Sequence, residues 1–121
     1  MKINKYKDLI VWQKSMQVAE ALYRLAKRLP KEETYALSDQ MRRAAVSIPS
    51  NIAEGYGRNS KKEYAYFLSI AKGSLNELET QLLLCVQVKY LKESDVEPVL
   101  ETLSELGKML TTIILKLKTT T

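Results

Sequence analysis

The side chains that carry most enzyme chemistry are scarce in this sequence. Its 121 residues include no histidine and a single cysteine, Cys85. Histidine triads, histidine general bases and histidine metal ligands are excluded, as are an intrachain disulfide and every multi-cysteine metal site. Carboxylates remain, but their spacing is unhelpful. Glu77 and Glu79 would sit about 200° apart around a helix, so they cannot share a catalytic centre on one face. Glu54 and Arg58 are four residues apart, as are Glu20 and Arg24, and each pair reads as helix support. Gly55-Tyr56-Gly57 is followed by Arg58 with no further glycine, so it reads as a helix stop and not a phosphate loop. Cys85 falls on an apolar stripe and reads as a small buried hydrophobe. We expect no catalytic residue, no metal and no cofactor.

What the chain has in excess is positive charge. Nineteen Lys/Arg face 14 Asp/Glu, for a net charge of +5. The excess is uneven: residues 1–62 hold 13 Lys/Arg against 6 Asp/Glu, and the remainder is slightly acidic. Such a half suits an anionic partner, RNA or DNA. The candidate phosphate contacts are Lys2, Lys5 and Lys7 in the N-terminal arm and Arg24, Lys27, Arg28 and Lys31 along the first helical segment. Arg42, Arg58, Lys61 and Lys62 complete the set. No aromatic is interleaved among them in a way that suggests base stacking, so binding should be salt-sensitive and indifferent to sequence. The alternative is that the basic surface is incidental and the partner is another protein.

The elements that must position these groups are helical. Only four glycines and three prolines occur, too few for an all-β fold with its many turns. Periodicity predicts helices over about 9–29, 35–57, 61–89 and 95–118. Asp8 is the expected N-cap of the first, and Pro30 stops it. Ser60-Lys61-Lys62-Glu63 and Ser94-Asp95-Val96-Glu97 read as capping boxes for the third and fourth. Pro98 would then fall in a first turn, where proline is tolerated. Pro49, mid-way along the second helix, should kink it. Four helices with short connections predict an all-α, antiparallel up-down-up-down bundle forming a single domain over 1–121. No leader and no membrane span is apparent, and a lone cysteine suits the cytoplasm.

Two helices hide more faces than a monomeric bundle covers. The third has a core stripe from Tyr64 to Val86 and, opposite it, Tyr66, Ile70, Gly73, Glu77 and Leu84. The second has a core face, a small-residue face with Pro49, Ser50 and Ala53, and a polar stripe with Arg43, Ser47 and Asn51. These eleven residues are the candidate seam of a homo-oligomer. Within it, Arg43 is expected to pair with Glu77 or Glu54.

Three blocks carry a resemblance. Gln40-Met41-Arg42-Arg43-Ala44-Ala45-Val46-Ser47-Ile48-Pro49-Ser50-Asn51-Ile52-Ala53-Glu54-Gly55 resembles the signature of the bacterial four-helix-bundle proteins called 23S rRNA intervening-sequence proteins. Asp8-Leu9-Ile10-Val11-Trp12-Gln13-Lys14 and the block from Phe67 to Leu82 match as well. The resemblance implies a small bundle assembled as a ring-like homopentamer. The family's name records where some of its genes sit and not an activity. The related accessory variability proteins of diversity-generating retroelements imply a basic surface that meets nucleic acid.

Overall fold

The computed structural model describes residues 5–119. Lys2, a candidate phosphate contact, lies outside them. Helices α1 (Ile10–Ala26), α2 (Leu37–Tyr56), α3 (Lys61–Gln87) and α4 (Glu93–Thr119) follow one another, with short 3-10 turns at Tyr6–Asp8 and Lys31–Glu33. Each helix packs on its neighbours in chain order, and α1 closes the square against α4. Cross-helix pairs fix the directions. Arg28 near the end of α1 meets Asp95 at the start of α4, and Met41 early in α2 meets Cys85 late in α3. The fold is the expected antiparallel four-helix bundle.

The apolar stripes read from the sequence form its core. Leu22, Met41, Ile48, Ile52, Leu68, Leu78, Leu82, Leu103, Leu106 and Leu110 are fully buried. Helix α4 hides one face only, as its spacing predicts, and Glu101, Glu105 and Lys108 stay exposed. Cys85 is fully buried with its sulfur 3.7 Å from that of Met41. Burial, and then the charge of Glu33, push its thiol up, so it is a neutral packing group and not a nucleophile.

Helix ends depart from the sequence reading in physically simple ways. Asp8 is not the cap of α1. The arm turns before it, with Leu9 donating its N–H to the Tyr6 carbonyl and Tyr6 packing edge-on against Trp12, so Leu9 takes the cap position. Pro30 does end the first segment. Arg28 and Leu29 make tighter i→i+3-type bonds to Leu25 and Ala26 in the last turn, so the α-helix stops at Ala26. Ser60 caps α3 as expected, accepting the Glu63 N–H at 3.1 Å. For α4 the expected box is displaced. The helix begins at Glu93, and Asp95 reaches back to accept the Lys92 N–H at 2.8 Å. Pro98 is consequently the sixth residue of the helix and not in its first turn. The carbonyl it deprives belongs to Ser94, which is exposed to water.

Helix α2 continues through Pro49, which is buried. At its far end Gly55 is indispensable to the crossing with α3. A Cβ there would come within 2.7 Å of the Phe67 Cβ and 3.3 Å of the Tyr64 carbonyl. The glycine is therefore a contact point between two backbones.

Candidate functional site

In this topology α1 and α3 begin where α2 and α4 finish. Lys5 and Lys7 of the arm, Arg58 after α2, Lys61 and Lys62 of α3, and Lys116 and Lys118 of α4 all belong to that end. Among the described residues the carboxylates there are Asp8, Glu54 and Glu63. Arg58 is held in place twice: it pairs with Glu54 at 2.7 Å, and its guanidinium lies 4.8 Å from the centre of the Phe67 ring. Phe67 in turn meets the edge of Tyr66, centroids 5.4 Å apart. A groove of about 440 Å³ opens between Lys61, Lys62 and Tyr66 of α3 and Leu117 and Lys118 of α4. Lys118 falls outside the sequence-based set because nothing local joins it to Lys62. The expectation that no aromatic stands among the cations is also corrected: Tyr66, 63% exposed, lies between them.

At the opposite end the arginines are engaged within the chain. Arg28 forms a two-pronged pair with Asp95, at 3.0 and 3.2 Å. The Lys92 N–H and this guanidinium hold the Asp95 carboxyl below the usual carboxylate range. Arg24 is tied to Glu20 at 2.6 Å, and Arg42 donates to the Thr34 carbonyl at 3.1 Å. Lys27 and Lys31 are exposed there. Glu33 links two elements: one oxygen accepts the Leu37 N–H opening α2, and the other accepts the Tyr90 hydroxyl at 2.9 Å. That bond is the main reason the tyrosine's proton is held more tightly than usual.

The candidate seam residues other than Tyr66 fall into four groups. Arg43 pairs with Asp39 at 3.0 Å, one turn back on its own helix, and is 79% exposed. This corrects the expected partner: Asp39 has the i,i+4 spacing to reach the guanidinium along α2, whereas Glu54 is eleven residues away and Glu77 stands on another helix. Ser47 and Asn51 are bonded to each other, and Ser74 of α3 donates to the Ser47 hydroxyl at 2.8 Å. This part of the polar stripe therefore joins α2 to α3 within the chain. Pro49, Ser50 and Ala53 line an apolar groove of about 450 Å³ against Trp12, Met16 and Tyr23 of α1. Met16, Tyr23 and Val46 remain largely exposed around it. On α3, Gly73 and Glu77 are exposed and Ile70 is half-buried; near its end Leu84 and Val88, four residues apart, are exposed, and Leu83 is exposed in a groove it lines with Val96 and Leu100 of α4. Gln81, which periodicity puts on that outer face, is instead buried, its amide donating to Glu77 at 3.4 Å.

A family model described as 23S rRNA-intervening sequence protein matches residues 7–112. This chain belongs to that family. A solved structure is similar over 87% of this chain and 98% of its own, at 30% identity and a TM-score of 0.80. It is a protein of unknown function from the S23 ribosomal protein family of Bacteroides thetaiotaomicron VPI-5482. No curated protein matches the chain. The three blocks that carry the resemblance all lie within the span matched by the 23S rRNA-intervening sequence family, whereas Lys116 and Lys118 lie beyond it. No described helix is long and apolar enough to cross a membrane.

Proposed function

We propose that this chain is a non-enzymatic bundle that assembles with copies of itself and binds nucleic acid through phosphate, without base specificity. The observation that carries the binding is the polarised charge. Lys5, Lys7, Lys62 and Lys118 share one end of the bundle, where the described carboxylates are few and Arg58 is paired with Glu54, while the arginines of the other end are engaged by their own chain. Lysines gathered at one end displace counterions from phosphates and carry no base code. Assembly is supported by exposed apolar side chains in two places, around the α1–α2 groove and near the end of α3. Two distinct apolar places on one protomer suit a head-to-tail contact, which closes a ring when the rotation permits. The family resemblance favours five subunits. A pentamer would carry a formal charge of about +25, and its repeated basic ends would bind one strand together.

The test is an anisotropy titration at low salt. The protein should bind RNA and DNA of unrelated sequences alike, and affinity should fall steeply as salt rises. Reversing Lys61 and Lys62 together should weaken all sequences equally and flatten the salt slope. Glu101→Lys, on the exposed back of α4, should not weaken binding. If the assembled protein shows no binding at tens of micromolar, the basic end has another purpose and the protein-scaffold reading takes over.

A further inference from the structure

We propose that the groove between the start of α3 and the end of α4 takes one unpaired base of a single-stranded nucleic acid, stacked on Tyr66, with the flanking phosphates held by Lys62 and Lys118. This rests on the phosphate-binding reading above and narrows it to strands whose base faces are free. The groove's walls are apolar, from Ala65, Tyr66 and Leu117, and its rim is cationic. Its volume of about 440 Å³ falls in the range of sites that enclose ligands of nucleotide size, about 300–1,000 Å³.

Tyr66 is the residue that needs explaining. It is 63% exposed, so the core gains little from it. Its ring meets that of Phe67 edge-to-face at 5.4 Å and 78°, and Arg58 lies over Phe67. A large aromatic exposed to water beside lysines is a stacking platform for a base. Lys62 lies one turn before Tyr66 on α3, and Lys118 comes across from α4. Ammonium groups on flexible stems suit phosphates whose exact direction varies with the strand. In a duplex the base faces are covered by their neighbours, so the Tyr66 ring cannot stack on them. Only a splayed base from a single strand fills the groove.

The experiment compares a labelled oligothymidine with a duplex of equal length, at low salt, on the protein in the assembly it forms. Wild type should bind the single strand more tightly. Tyr66→Ala should lose about tenfold on the single strand and nothing on the duplex, while Tyr66→Phe should keep both. Lys62→Glu with Lys118→Glu should weaken both strands alike. Light scattering on each variant should give the wild-type mass. An equal loss on both strands in Tyr66→Ala, or no loss on either, overturns the stacking site while leaving phosphate binding intact. A changed mass in that variant overturns it too, because Tyr66 would then belong to a subunit seam. Competition by polyglutamate as strong as by oligothymidine would show that the groove reads charge alone. Absence of binding to either strand by wild type would bring down the phosphate reading itself.

Discussion

At the scale of the residue, two positions set the ends of helices by means that composition conceals. Lys89 closes α3 with φ at 68°, a left-handed conformation that favours glycine. The Tyr90 N–H bonds back to the Cys85 carbonyl at 2.8 Å and the Lys89 N–H to Val86 at 3.1 Å, which is the Schellman closure with a lysine in glycine's place. Lys89→Gly should therefore stabilise the protein by about 1 kcal/mol, read as a higher urea midpoint at unchanged slope. Asp95 does the corresponding work for α4. Its folded pKa is depressed, first by the Lys92 N–H and then by Arg28, so its contribution is present above its unfolded pKa of about 3.9 and is lost as pH falls through the lower folded value. Asp95→Asn should be less stable than wild type at neutral pH. The difference should shrink as the solution is acidified below about pH 4, measured by denaturation across that range.

At the scale of the element, the glycines of α2 and α3 separate two kinds of constraint. Gly55 sits where α2 crosses α3 with no room for a methyl group, because the atoms it would meet include the Tyr64 backbone carbonyl. Gly55→Ala should destabilise by about 1–3 kcal/mol and lower the thermal midpoint. Gly73 is mid-helix and exposed, and a methyl group added there would meet nothing within 4 Å. Gly73→Ala should raise the intrinsic stability of the protomer by about 0.5–1 kcal/mol through helix propensity alone, measured in the same melts. Neither difference could be told from the sequence. Both glycines stand inside regular helical periodicity, and what distinguishes them is the distance to the neighbouring helix.

At the scale of the whole molecule, the exposed apolar surface is the feature a solitary bundle does not account for. Met16, Tyr23 and Val46 surround one groove, and Leu83, Leu84 and Val88 stand exposed near the end of α3. Val46→Glu should shift the protein to smaller species by light scattering, because a charge would be desolvated without a partner in the seam. Its helical circular dichroism should be unchanged, since the side chain is exposed in the protomer. A wild-type mass for that variant would remove the α1–α2 groove from the interface.

The sequence alone determined the four helices, their order and the stripe each turns inward. Those depend on contacts three or four residues apart, which periodicity records directly: the Ser60 cap, the Glu54–Arg58 pair and the Leu stripe of α4 were all legible. Tertiary structure alone decided which charges are spent and which remain. Arg28 is neutralised by a residue 67 positions away, and Arg43 turns to Asp39 where Glu77 was expected. Lys118 joins Lys62 and Tyr66 around one groove from the other end of the chain. The physical reason is the same in each case. A helix's own pattern fixes which residues share a face, but not the rotation and axial offset at which it meets its neighbour, and a side-chain pair or a binding groove is set by those two quantities.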